Sequence, residues 1–391
     1  MQIIYVYGGC SPKKYGEYVE NKGVRVQQQS QKYNQLLMEG LVANGAQVEA
    51  ISSRPINRSI DNRIFFKSEK DCECGINYSY PWFINYSALR KATVFINIFF
   101  KILFLKVEKE CSIMCDALNI AASFGALLAA KLRGIKAIGI ITDVPCHRPN
   151  NLKPSKNEKI NLWLMKRFNG YLLLTEQMNE IVNPKNLPYV VLEGHSDIVM
   201  KEVNNHLEDK FQKKVCFYAG TLRKIYGIKT LVEGFLNADI PDTELHIYGD
   251  GDFRKELEEL AKENESVKYM GVAPNSDIVK AELKATLLVN PRPTNEDYTK
   301  YSFPSKNMEY MASGTPVLTT ELPGMPEDHK PYVFFIKDET KEGISEALKD
   351  VFKNSSEELH AFGLTAKDFI LKEKNNISQA KKVLDFITKS F

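Results

Sequence analysis

The chain has 391 residues, too many for one compact unit and enough for two. Hydrophobic residues at 43% and charged residues at 26% exclude a disordered, collagen-like or small disulfide-stapled protein. A net charge of +3 gives no whole-protein field that would mark nucleic acid as the partner. Seven scattered Cys, with no paired CxxC units and no Cys/His spacing, read as reduced thiols of a cytosolic protein without a metal site. The opening MQIIYVYGG is strand-like with no basic region before it, so no signal peptide is expected, and the apolar run 92–100 is too short to span a bilayer.

Apolar runs of four to seven residues, each leading through a turn into a helical pattern, recur along the chain and predict parallel sheets built from βαβ units. The first half offers strands at 3–7, 48–52, 113–115, 137–142, 171–175 and 189–192, with helices at 31–44 and 120–133, the latter closed by Gly134. A polar stretch at 197–214 interrupts the pattern. The second series predicts strands at 215–219, 244–248, 267–270, 286–290, 316–319 and 333–336, with helices at 228–237, 253–264, 276–283 and 304–313. From about 355 to 391 the pattern is helical, with Ile377, Ala380, Val383, Leu384 and Ile387 on one stripe that could pack on either half. Two such halves place ligands at the carboxyl ends of their strands, and the cleft between them is the default site.

The most informative stretch is NPRPTNEDYTKYSFPSKNMEYMASGTPVL, 290–318. A strand ends at Asn290, Pro304 falls in the first helical turn and Gly314 ends the helix. Lys306 is an odd choice in a first turn, where a cation opposes the helix dipole at a cost of about 0.3–1 kcal/mol. A bound anion would reverse that cost, so Lys306 reads as a phosphate ligand, with Glu309 one turn deeper placed for a ribose diol. The plain alternative is a solvated Lys306 paired with Glu309. In FYAGTLRKIYGIKTLVEGF, 217–235, Gly220 makes a turn and Arg223 and Lys224 lie just past a strand end, where anions are held; a solvated loop explains them about as well.

In YVYGGCSPKK, Gly8 and Gly9 allow close backbone approach to a ligand or make an ordinary turn. In GIITDVPCH, Asp143 at a strand end could orient a hydroxyl, act as a base or bond its own turn; His147 and His195 read as structural or exposed. Lys13, Lys14, Lys22 and Arg25 form a basic loop, and KATVFINIFFKILFLKVEK, 91–109, a very apolar helix edged by Lys. A lipid-linked acceptor would set both against an anionic membrane surface; a core helix beside a solvated loop is the alternative. The sequence lacks GxSxG, HExxH, GxxxxGK[ST] and a GxGxxG after the first strand, which removes the hydrolase, zincin, NTPase and dinucleotide readings.

Together these residues resemble the nucleotide-sugar glycosyltransferases of the GT-B fold, of the retaining family-four type found in bacterial polysaccharide pathways. FYAGTLRKIYGI, LHIYGDGDFRKELEELA, KYMGV and FPSKNMEYMASGTPVL leading to ELPGMPE carry the likeness over the second half. The first half is similar more loosely, through Gly8-Gly9, QKYNQLLMEGLVANG, CDALN, ITDVP and LLLTEQM. In that family a Glu, seven residues and a second Glu meet the donor. Here the second is Glu309, Tyr301 stands at the first, and Ser302 and Pro304 replace the usual glycines while Phe303 matches. The family's Arg and Lys of the Gly220 loop fall on Thr221 and Tyr226, so Arg223, Lys224, Arg292 and Lys306 are expected to take over their charge.

The resemblance implies an α/β GT-B fold of two Rossmann-like doubly wound domains. These are an acceptor-binding domain at 1–200, a nucleotide-sugar domain at 201–370 and a final helix at 371–391 that could pack back on the first. It implies a retaining, metal-independent transferase that needs no cofactor and moves a sugar from a nucleotide-diphosphate sugar to a glycan or lipid-linked acceptor, in the cytoplasm or at the inner face of the membrane. Catalytic roles are expected for Arg223, Lys306 and Asp143. Donor contacts are expected from Gly8, Gly9, Gly220, Arg223, Lys224, Arg292, Tyr301, Ser302, Phe303, Ser305, Lys306 and Glu309. The alternatives are a nucleotide-sugar 2-epimerase of the same architecture and a non-catalytic nucleotide-sugar-binding protein.

Overall fold

The computed structural model describes residues 1–22, 28–145 and 154–391, the side chains of 19–22 and 297 aside. Arg25 and His147 lie outside the described residues, as does the side chain of Lys22. The chain divides into two compact units, Met1–His195 with Asn376–Phe391, and Ser196–Asn375.

In chain order the first unit runs β1 (Gln2–Tyr7), α1 (Pro12–Lys22), α2 (Gln28–Ala43), β2 (Gln47–Ser52), β3 (Phe65–Phe66), β4 (Glu69–Glu73), β5 (Ile76–Tyr80), β6 (Phe83–Ile84), α3 (Ser87–Phe104), β7 (Cys111–Asp116), α4 (Ile120–Arg133), β8 (Lys136–Ile141), α5 (Lys156–Met165), β9 (Gly170–Leu173), α6 (Met178–Val182) and β10 (Tyr189–Val191). Its sheet has the order β10-β9-β8-β7-β1-β2-β5-β4, parallel except for β4, which pairs antiparallel with β5 at the edge. β1 is apolar along its length because it is central and covered on both faces, and Ile3 to Tyr7 are each fully buried. α4 ends where Gly134 adopts φ 68°, a left-handed stop that costs a glycine nothing.

The second unit holds β11 (Lys214–Ala219), α7 (Ile228–Ala238), β12 (Thr243–Tyr248), α8 (Arg254–Glu263), β13 (Val267–Gly271), α9 (Asn275–Lys284), β14 (Leu287–Asn290), α10 (Ser305–Ser313), β15 (Val317–Thr320), β16 (Phe334–Ile336), α11 (Lys341–Val351) and α12 (Ser356–Glu373). Its six strands are all parallel, in the order β13-β12-β11-β14-β15-β16. The helical tail divides between the units. α12 stays with the second, buried through Leu359, Ala366 and Ile370, and α13 (Asn376–Ser390) returns to the first. α13 lies on α2, where Gly40 leaves room for the Asn376 carbonyl and Asn44 Nδ2 donates to the Ile377 carbonyl at 2.9 Å. Its Ala380, Val383 and Ile387 join the core built on Ile3 and Tyr5. Among the described residues no helix is long and apolar enough to cross a membrane.

Candidate functional site

In the second unit the strand order reverses between β11 and β14, so their connections leave toward opposite sides of the sheet and open a crevice at their carboxyl ends. Gly220 follows β11 with φ 157°, and the loop 291–304 follows β14. α10 is tied to this crevice by buried polar bonds. Asn290 Nδ2 donates to Asn307 Oδ1 at 2.7 Å, and the Ala219 N–H donates to the Tyr310 hydroxyl at 3.0 Å. The helix begins one residue later than its sequence suggests, with Pro304 as N-cap and no side-chain cap.

Lys306 is thereby delivered onto the end of β11. Its Nζ donates to the Tyr218 hydroxyl at 3.0 Å and stands 4.3 Å over the Tyr218 ring, and a Cβ at residue 220 would overlap it. The glycine is needed for that approach. Among the described residues no carboxylate forms a salt bridge with Lys306, and Glu309, one turn on, acts on it through its charge. Burial lowers the ammonium pKa to about 8, against the opposing pull of Glu309. A solvated Lys306–Glu309 pair is therefore not what forms.

Arg292 lies close enough to depress the same ammonium further. Its guanidinium carbon is 5.0 Å from the centroids of both Tyr226 and Tyr298, and Arg223 meets the Tyr226 ring at 5.5 Å. Three buried atoms of the β14 loop, Arg292 Nε, the Tyr298 hydroxyl and Ser302 Oγ, have no hydrogen-bond partner. Buried polar atoms are rarely left so, and three on one loop, one of them on Arg292, together with Lys306, neither cation paired with a carboxylate among the described residues, mark a place for a polar anion. Tyr301 is half-buried, Phe303 packs edge-on to His329 at 5.2 Å, and Ser305 is exposed. Lys224 is not gathered into this group, because its ammonium pairs with Glu256 of α8 at 2.5 Å. Gly8, Gly9 and Asp143 belong to the first unit.

The first unit has its own cavity, about 1340 Å³, at the carboxyl ends of β1, β2 and β7. Gly8, Ser53 and Asn119 line it with Asp116, which ends β7. Asp116 is 8% exposed, and burial raises its carboxyl pKa to about 6 although the Leu118 N–H donates to Oδ1 at 3.1 Å. Gly9 is set just behind, where a side chain would strike the Tyr7 ring and Gln31. Asp143, the acidic residue favoured by the sequence, is exposed past the end of β8 and is not on the cavity wall. Asp116 and Arg90 are the wall residues that sequence reasoning missed. Asp116 carried a signal, standing at a strand end next to Gly8's strand, whereas Arg90 lies in a helix with nothing local to distinguish it. His195 is structural: its Nε2 bonds the Tyr33 carbonyl at 2.8 Å and burial lowers its pKa to about 4.

Residues 201–369 match the family model described as glycosyl transferases group 1. No curated protein sequence matches the chain. Among solved structures it is similar to a sucrose-phosphate synthase from Thermosynechococcus elongatus (13% identity, 100% of this chain and 99% of that one, TM-score 0.69). It is also similar to Anabaena HepE in complex with UDP (13%, all of both chains, TM-score 0.66) and to the lipopolysaccharide outer core galactosyltransferase WaaB (15%, all of both chains, TM-score 0.63). The chain as a whole has the α/β GT-B fold with two Rossmann-like domains, and its match to the group 1 glycosyltransferase model lies within 201–369.

Proposed function

We propose that the chain is a retaining, metal-independent glycosyltransferase that takes a sugar from a nucleotide-diphosphate sugar held by the second unit and passes it to a glycan or lipid-linked acceptor held by the first. One observation carries the reading: Lys306 and Arg292, without carboxylate partners among the described residues, belong to the crevice between β11 and β14, whose loop also holds the unsatisfied Tyr298 hydroxyl and Ser302 Oγ. HepE is solved with UDP and with UDP-glucose, which supports a uridine-type donor as the first to test. A role in cell-surface polysaccharide synthesis, in the cytoplasm at the inner membrane face, suits such chemistry, with 91–109 as the segment that touches the membrane.

The difficult step is departure of the diphosphate, which gains charge as the anomeric C–O bond breaks. Lys306 and Arg292 neutralise that charge and supply what a divalent ion would, with Arg223 as a third cation and Lys224 assisting once released from Glu256. Tyr301, Ser302 and Ser305 contact the donor, Phe303 supports them from the core, and Glu309 accepts from the ribose hydroxyls. The acceptor oxygen enters on the leaving-group side and gives its proton to a carboxylate, while the bonding pair of the broken bond leaves with the phosphate oxygen. We assign the carboxylate to Asp116, which lines the cavity with Gly8, and keep Asp143 as the competing choice.

A panel of nucleotide sugars tests the proposal, scored for nucleoside-diphosphate release with and without acceptor. Release from at least one donor is expected. Sugar isomerisation without acceptor would mean an epimerase, and tight nucleotide binding without any turnover would mean a binding protein. Glu309→Gln is expected to weaken nucleoside diphosphate binding about tenfold by removing a charge-assisted hydrogen bond, with inorganic pyrophosphate unaffected. Calorimetry of both ligands checks this, and equal UDP affinity in the two proteins would refute the ribose role.

A further inference from the structure

The cavity of the first unit has two unlike ends. At one, Arg90 of α3 is half-buried with its Nη2 donating to the Arg54 carbonyl at 2.9 Å, its Nε buried without a partner, and no carboxylate paired with it among the described residues. Arg54 beside it is already served, by Glu69 at 3.3 Å and by the Lys67 and Tyr80 carbonyls. Both guanidinium groups have a buried Nε without a partner, and of the two only Arg54 is paired with a carboxylate among the described residues, which leaves the Arg90 charge to meet an anion. Asn119, whose Nδ2 donates to the Ser53 hydroxyl next to Arg54, and Asp116 also line the cavity.

The other end is apolar and opens outward. Phe95, Ile120, Phe124 and Ile160 line it, and Phe124 and Ile160 are 44% and 50% exposed. Phe95 packs on Phe124 at 5.3 Å and Phe124 on Trp163 at 6.3 Å, so the wall continues onto α5. α3 and α4 each extend it with a stripe at four-residue spacing, 96-100-104 and 124-128-132, every member of which is exposed. Their opposite faces, Val94, Ile98 and Ile102 on α3 and Ala122, Ala126 and Ala129 on α4, are buried, so core packing does not account for the outer stripes. A continuous apolar surface of this kind, joined to a cavity with an unneutralised guanidinium, fits a ligand with both characters.

We propose that this cavity binds an amphiphile, its phosphate held by Arg90 and its hydrocarbon chain laid along Phe95, Phe124 and Ile160, and that the acceptor is such a phosphate-bearing lipid, reacting through a hydroxyl of the group it carries and not through the phosphate. Calling it the acceptor rests on the glycosyltransferase reading; the binding itself does not. The Arg90 N–H groups replace the phosphate's water with charge-assisted bonds in a half-buried setting, which makes the anion worth more there than on an open surface. Each methylene laid on the aromatic wall adds affinity, so head and chain bind better joined than apart.

The test is calorimetric titration of the full-length protein with dodecyl phosphate below its micelle concentration, beside dodecyl maltoside and inorganic phosphate. Dodecyl phosphate is expected to bind at least about tenfold more tightly than either partial ligand. Arg90→Gln should remove the preference over dodecyl maltoside, and Arg90→Lys should keep part of it. Phe124→Ser, at an exposed position that folding tolerates, should weaken dodecyl phosphate by about tenfold and leave inorganic phosphate unchanged. Equal binding of the phosphate and maltoside amphiphiles by the unaltered protein would overturn the proposal, as would an unchanged affinity in both Arg90→Gln and Phe124→Ser. UDP binding measured on the same samples reads the second unit: its presence shows each variant folded, and its absence from the unaltered protein would sink the donor reading while leaving the amphiphile result to stand alone.

Discussion

Lys306→Ala is expected to lower kcat by about 10²–10³-fold, the loss typical when one preorganised group is removed from the charge that develops at a transition state. KM for the donor should rise much less, because Arg292 and the polar atoms of the β14 loop still bind the ground-state diphosphate. A rise in KM with kcat intact would show that Lys306 only binds. Gly220→Ala should reproduce much of the loss without touching a charge, since its methyl group would occupy the space of the Lys306 ammonium. Stability should move the other way. The folded pKa of about 8 lies below the ordinary 10.5, so the unfolded chain binds more protons than the folded one between those values. Wild-type stability relative to Lys306→Ala should therefore be lowest below pH 8 and recover as pH rises toward 10.5. UDP binding should weaken as pH passes about 8 in the wild type and not in the variant. Thermal melts and calorimetry at pH 7 and 9.5 read both effects; a variant less stable than wild type at pH 7 would mean that Lys306 is an ordinary structural residue.

The second sheet was legible because parallel strands covered on both faces are written as unbroken apolar runs, and all six appear within a residue or two of their predicted places. Lys306 was legible for another reason: it violates a local rule, and the violation survives folding as a buried ammonium with no salt bridge among the described residues. The region from β3 to β6 was not legible. EKDCE is almost wholly charged and INYSY has no apolar run, and the two become strands through their partners, β5 lying parallel to β2 and pairing antiparallel with β4. The same limit hid Arg90, whose meaning depends on which carbonyl it reaches and on having no carboxylate paired with it among the described residues. Lys224 misled for the converse reason. Its place in the sequence suits an anion site, and a glutamate 32 positions away takes its charge.

Asp116→Asn is expected to cut transfer to the acceptor by about 10²–10⁴-fold while changing acceptor-independent donor hydrolysis little, as befits loss of a base that acts on one substrate only. The amide keeps the size and the bond from Leu118, so the β7 end should hold its shape, and only proton acceptance is lost. The pH profile separates this from a packing defect. With its folded pKa raised to about 6, Asp116 is protonated below that value, so kcat/KM for transfer should climb through about pH 6 in the wild type and lose that limb in the variant. The stability consequence has the opposite slope. A carboxyl held above its unfolded value of 3.8 stabilises the fold fully only below that pH, and the contribution disappears as pH rises through about 6. Wild type should then lose stability relative to Asp116→Asn between pH 4 and 6. Asp143→Asn is the matching control. Exposed past β8 and off the cavity wall, it should leave transfer within about threefold of wild type, as surface substitutions away from a site usually do. If instead Asp143→Asn abolished transfer and Asp116→Asn did not, the proton would have to leave by the neighbouring strand end, and the cavity's carboxylate would be a buried structural acid.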